Sequence, residues 1–433
     1  MSRLSPAERR ILVGLTLGSA GLTGDKFFDP AIRWTDLGAV ATRHGVAPLV
    51  YRGLRALDRR GALPSPAVHL RDRCETLYVQ NAARNTRLFA ELERVLRPLR
   101  RAGIPVILLK GAAIARGLFG DIGLRSMRDL DLLVPAEARA DALAALRPLG
   151  YRLFPGAPAD LRARARRDGL ASSLSAGLSA EVAAGLYERY HFHYYLEREG
   201  QTFPVELHWH IVKPGRGGPI EDFWHEARPI RVGDVDALCF RPEHLLLHLA
   251  LHVTADAYKE LRLARLVDLH VAVATQPLDW AWLDHMAHRQ HAVRALGVAL
   301  GLARCALGTD VPASPARPLG RFDAALVALL GRRWFADLGL HPSDRMTPGQ
   351  TLAWTIACRD RWSDVPGRLY RLLVSYPETN ARLPDRYRGS EFMNLLAALH
   401  PSRVTHLLPR ARQSGRTASG ATLSAVPKAT RSP

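Results

Sequence analysis

A chain of 433 residues with 47% apolar side chains can bury sizeable cores and is too rich in them to be disordered as a whole. Its four cysteines lie far apart with no CxxC pair, which excludes a disulfide framework and a zinc knuckle and leaves a reducing, cytoplasmic setting as the expectation. The formal charge of +19 raises nucleic acid as a partner, but only five of the 60 basic residues are lysine, a skew that fits GC-rich coding better than phosphate contacts.

The opening "SPAERR" predicts the start of an amphipathic helix, and no apolar run approaches the roughly 20 residues of a membrane span. In the stretch beginning "SPAVHLRDR", Ser65 reads as an N-cap, Pro66 as the first helical residue and Gly103 as the stop. Leu70, Cys74, Leu77, Leu88, Leu92, Val95 and Leu99 recur mostly at three- and four-residue spacing and predict one apolar stripe along that helix. "IPVILL" (104–109) predicts a buried strand, Lys110 and Gly111 a turn into the short helix "AAIARGLF", and "GDIGLRSM" a loop. "DLDLLVP" predicts an alternating strand and "PAEARADALAALRPLGY" a helix.

An Ala/Arg/Ser/Gly-rich insertion at about 157–190 follows. "HFHYYLE" and "TFPVELHWHIV" then alternate as the arms of a hairpin. From Pro242 the pattern is helical to about Leu408. The expected class is α+β, a small mixed-sheet core at 100–235 carrying that insertion, flanked by helical regions at 1–99 and 236–408. Residues 409–433 read as a disordered basic tail, with a nucleic-acid or membrane-surface arm as the rival reading.

Alternation along "DLDLL" puts Asp129 and Asp131 on one face of a strand, where like charges repel unless a cation balances them. On a solvated strand they would simply pair with Arg125 or Arg128. In the hairpin, Glu206, His208 and His210 share a face, so a third carboxylate stands mid-strand. Two aspartates and a glutamate make a hard oxygen site suited to Mg²⁺ and to two-metal phosphoryl transfer. Gly111 lets a backbone approach a phosphate closely, and Lys110 adds a compact positive charge.

The stretch "GIPVILLKGAAIARGLFGDIGLRSMRDLDLLVP", with "VELHWHI" downstream, resembles the DNA polymerase beta-like nucleotidyltransferase superfamily. Within it, the chain resembles an uncharacterised bacterial nucleotidyltransferase family marked by an "LKG" turn. The superfamily's usual Gly-Ser pair is replaced here by Lys110, Gly111 and Ala112. The resemblance implies that Asp129 and Asp131 bridge two Mg²⁺ ions and that Glu206 ligates the one beside the acceptor hydroxyl. It also implies that Lys110, Gly111 and Arg125 hold the triphosphate of an NTP, ATP being the expected donor. The acceptor, a protein, an RNA end or a small molecule, is not legible.

His208 is a candidate substrate contact, and His248, His252 and Asp268 are candidates to line the cleft from the helical region. The pairs "HFH" and "HWH" and the series His244, His248, His252 tempt a zinc reading, but without a nearby cysteine or an HExxH they read as packed residues. Two rival functions stand beside the transferase: a catalytically idle binding or regulatory module, and a nucleic-acid binder driven by charge.

Overall fold

Ser5 caps the first helix, α1 (Pro6–Leu17), through a capping box. Glu8 N donates to Ser5 Oγ at 3.2 Å, and Ser5 N donates to Glu8 Oε2 at 2.7 Å. The computed structural model describes residues 4–18, 29–153, 191–201, 203–212, 217–260 and 262–312, plus isolated positions at 184, 185 and 188 and between 324 and 360. Apart from those positions, the 157–190 insertion, the helical region after 312 and the basic tail lie outside the described residues. No helix among the described residues is long and apolar enough to cross a membrane.

Helices α2 (Trp34–Arg43) and α3 (Ala47–Asp58) pack with α1 around Leu12, Leu15, Val50 and Leu54. Gly53 lies where α3 crosses α1, and a Cβ there would stand 2.4 Å from the Leu15 carbonyl oxygen. Helix α4 (Val68–Arg101) has 34 residues and is about 50 Å long. Ser65 does not cap it. Flanked by Pro64 and Pro66, Ser65 begins a separate 3-10 turn, Ser65–Ala67, closed by Ala67 N donating to Pro64 O at 2.8 Å. Gly103, at φ 70°, ends the helix as expected. Leu70 and Cys74 of α4 join the core of the N-terminal helices, whereas Leu88, Leu92, Val95, Leu96 and Leu99 join the core under the sheet.

The remaining elements are, in chain order, β1 (Ile107–Leu108), α5 (Lys110–Gly117), β2 (Leu130–Leu133), α6 (Arg139–Leu146), β3 (Arg152–Leu153), β4 (His193–Glu197), β5 (Val205–His208), α7 (Glu221–His225), β6 (Arg228–Val232), β7 (Val235–Cys239), α8 (Pro242–Glu260), α9 (Leu263–Thr275), α10 (Trp280–Arg289) and α11 (Val293–Leu307). Among the described residues, seven strands form one mixed sheet in the order β3-β4-β5-β2-β1-β7-β6. β2 is antiparallel to β1 and parallel to β5, and β1 is parallel to β7.

Side-chain alternation assigns the two faces of this sheet. Leu108, Leu130, Leu132, Tyr194, Leu196, Val205 and Leu207 point to one side and bury against α4 and α6. Between them, on the other side, fall Asp131, His193, Glu206 and His208, with Ile107 and Leu133 packing toward the C-terminal helices. Burial of the apolar face therefore fixes the register that presents the polar one.

Two features differ from the sequence expectation. The hairpin of β6 and β7 was expected neither as strands nor as part of the sheet, yet it closes through Gly233 and Asp234 and lays β7 beside β1. The alternation of "VELHWHI" stops at His208, because Trp209 N and His210 N both donate to Phe192 O, at 3.0 and 3.4 Å. Two residues facing one bends the strand as a bulge does. His210 consequently leaves the face of Glu206 and His208, and its Nδ1 accepts from Val212 N at 3.1 Å.

Candidate active site

The polar face of β2 and β5 forms the floor of a cavity of about 710 Å³, roofed by residues of α8 and α9. The floor follows from register. β2 and β5 run parallel with Asp131 opposite Glu206, and Asp129 lies two residues before Asp131. One carboxylate oxygen from each of Asp129, Asp131 and Glu206 lies within 4.8 Å of the others. Asp131 is buried, while Asp129 and Glu206 are half-buried.

Crowding of negative charge divides the roles of the two aspartates. Repulsion from Asp131, with burial and Glu206 acting in the same sense, pushes the Asp129 carboxyl up to about 7. Burial would raise Asp131 too, but the charge of Lys110 and a hydrogen bond from His208 hold it well below the usual carboxylate range. Lys110 Nζ donates to Asp131 Oδ1 at 2.8 Å. Burial disfavours the ammonium, yet Asp131 and Glu206 keep it charged above its ordinary range. Lys110 also takes a left-handed backbone at the start of α5, φ 37°, an uncommon conformation for a residue with a side chain. His208 Nε2 stands 3.2 Å from Asp131 Oδ1 and 3.3 Å from Glu206 Oε2, so one ring nitrogen bridges two carboxylates.

The loop before β2 is carried by α4. Asn81 Nδ2 donates to Gly123 O at 2.7 Å, and Asn85 Nδ2 donates to Arg125 O at 2.8 Å and to Ile122 O. Tyr78 packs so closely over Gly123 that a Cβ there would meet its ring at 2.5 Å. Asn81 and Asn85 were missed in the sequence, where their signal is two asparagines four residues apart interrupting the apolar stripe between Leu77 and Leu88.

Arg125 lines the cavity, but it is not a free cation. Its Nε donates to both Asp268 carboxylate oxygens at 3.0 and 3.1 Å and its Nη2 to Oδ2 at 2.8 Å, while Nη1 donates to Ser126 O at 2.8 Å. A guanidinium has five N–H donors, so two remain for a ligand. Gly111 packs on Met127 beside this guanidinium, and a Cβ there would stand 3.2 Å from the Met127 side chain and 3.7 Å from Arg125 Nη1. Arg84 and Arg128 line the same cavity, a role their sequence context does not signal.

The helical histidines divide. His248 and His252 line the cavity from α8, and burial pushes His248 down to about 3 and His252 well below its usual range, so both are neutral. His244 stacks on Phe223 with ring centroids 4.4 Å apart and lies away from the cavity. Asp268 serves by holding Arg125.

Three carboxylates converging on a cavity are hard oxygen donors whose mutual repulsion a bound cation would relieve. This donor set fits a divalent cation such as Mg²⁺. The mixed sheet aligns the Asp-x-Asp strand with a parallel strand that bears a glutamate. The family described as "Uncharacterised nucleotidyltransferase" matches residues 30–308, and the chain belongs to that family. No curated protein matches the chain. A solved structure similar to it is the solution structure of the antibiotic-resistance factor ANT(2'')-Ia, at 12% identity, covering 47% of this chain and 98% of that one with a TM-score of 0.30. A likeness at that level decides nothing about substrate.

Proposed function

We propose that the protein transfers a nucleoside monophosphate from an NTP, with ATP as donor, to a hydroxyl of an acceptor molecule and releases pyrophosphate. The observation that carries this reading is the meeting of Asp129, Asp131 and Glu206 on one face of two parallel strands, at the floor of a cavity large enough for a nucleotide. Asp129, Asp131 and Glu206 would hold two Mg²⁺ ions, which when bound neutralise the triphosphate and favour ionisation of the acceptor hydroxyl.

The chain's own residues do the positioning. Lys110, resting on Asp131, supplies a compact charge where α5 begins, and Gly111 beside it presents backbone without a side chain. Arg125, oriented by Asp268, offers two preset N–H donors to phosphate oxygens. His208 keeps Asp131 and Glu206 together by hydrogen bonding to both and is a substrate contact only through the cavity wall it forms. The acceptor oxygen bonds to the α-phosphorus as the bond to the β-phosphate oxygen breaks. Rate comes from orientation and from charge placed where charge develops.

The test is incubation of the protein with α-labelled ATP, Mg²⁺ and a cell lysate. The reading expects a labelled acceptor that disappears with Asp129→Asn plus Asp131→Asn. Label transfer that persists in that double variant would overturn it.

A further inference from the structure

Beside the carboxylate trio stands a second donor set of different chemistry. β4 pairs antiparallel with β5, placing His193 opposite His208 and Tyr195 opposite Glu206. His193, His208 and Glu206 thus rise from one face of the sheet, and the two imidazole rings lie 4.7 Å apart at a tilt of 39°. A ring nitrogen of each histidine and a carboxylate oxygen of Glu206 all fall within 4.8 Å of one another.

A histidine kept for packing commonly hydrogen-bonds through its ring nitrogens, and these two do not do so fully. Nδ1 of His193 and Nδ1 of His208 are both buried with no hydrogen-bond partner among the described residues, although His208 is only 2% exposed. An unsatisfied buried polar atom costs about 1–3 kcal/mol, and here two belong to neighbouring rings of residues that line the cavity.

Hard carboxylate sets suit Mg²⁺, whereas two imidazole nitrogens and one carboxylate form the three-ligand set of an open Zn²⁺ site, with water in the fourth position. We infer that His193, His208 and Glu206 form a site for a divalent transition-metal ion, Zn²⁺ by its donor chemistry, whose fourth position opens to the cavity. The site rests on the position of these three side chains and not on the transferase reading. Glu206 belongs to both donor sets, so an ion held by the histidines withdraws it from the carboxylate trio. Zn²⁺ therefore antagonises Mg²⁺-dependent nucleotide binding in the same cavity.

Co²⁺ is the probe, because it reports nitrogen and oxygen coordination by visible absorption and substitutes for Zn²⁺. Titration of the full chain without nucleotide is expected to give a visible band saturating at about one equivalent and displaced by Zn²⁺. His193→Ala and His193→Gln are each expected to weaken it about tenfold or more, with circular dichroism of both unchanged, whereas Asp129→Asn retains it. A band absent from the unaltered chain, or equally strong in a folded His193 variant, overturns the inference. If the band behaves as expected while no nucleotide binds in Mg²⁺, the metal site stands and the transferase reading falls.

Discussion

Replacing Arg125 by alanine isolates the contact that ties the loop before β2 to α9. The guanidinium makes three hydrogen bonds to Asp268, at 2.8, 3.0 and 3.1 Å, with side-chain exposures of 19% for Arg125 and 3% for Asp268. Removing one member of a buried ion pair strands the other charge and costs about 3–5 kcal/mol. Arg125 keeps some solvent contact, so about 3 kcal/mol is expected. Asp268→Asn removes the charge but leaves a hydrogen-bonding acceptor, and should cost about 1–2 kcal/mol. Replacing both residues by apolar ones, Arg125→Met with Asp268→Leu, should recover more than half of the single-variant loss, because no unpaired charge then remains buried. Urea unfolding followed by circular dichroism reads all three. A loss under about 1 kcal/mol for Arg125→Ala, or simple additivity in the double variant, would refute the argument that this pair is a buried, mutually dependent unit.

Lys110→Ala leaves Asp131 buried with His208 as its remaining side-chain hydrogen-bond partner, and should lower the stability of the metal-free protein by about 1–3 kcal/mol, with Mg²⁺ restoring part of it in a thermal-shift assay. The raised Asp129 carboxyl gives a pH dependence of unusual sign. Between about 4 and about 7 the folded chain holds a proton there that the unfolded chain has lost, so this contribution to stability is full at low pH and is lost as pH rises through about 7. Since a bound cation must displace that proton, Mg²⁺ affinity measured by calorimetry should rise by up to about tenfold per pH unit below 7 and level off above it. Affinity independent of pH from 5.5 to 8 would contradict the assignment. Gly53→Ala sets a methyl group 2.4 Å from the Leu15 carbonyl oxygen and 2.9 Å from the Leu15 Cα and carbonyl carbon, and should destabilise the packing of α1 on α3 by about 1–3 kcal/mol, read as a lower melting temperature.

The parts of the site legible in the sequence are those set by strand periodicity. Alternation alone puts Asp129 with Asp131 and Glu206 with His208, since a strand with one buried apolar face must turn its polar residues to the other. Alternation does not reveal which strands are neighbours. The parallel pairing that sets Asp131 opposite Glu206 joins segments some 75 residues apart, and only tertiary packing selects it. Local rules also broke where a longer-range contact won, as at His210, which the shared Phe192 carbonyl pulls out of register. The ion pair that orients Arg125 was not legible either, because its partner, Asp268, lies 143 residues away. The β6–β7 hairpin did carry a local signal, a Gly-Asp turn between "RPIRV" and "VDALC".

Asp129, Asp131 and Glu206 are proposed to recruit a nucleotide through divalent cations. Calorimetric titration of ATP into the protein, with Mg²⁺ and again with a chelator, tests it most directly. Binding that requires Mg²⁺ and is lost in a folded Asp129→Asn plus Asp131→Asn variant is the predicted result. ATP bound equally well with chelator present, or by that variant, would contradict it.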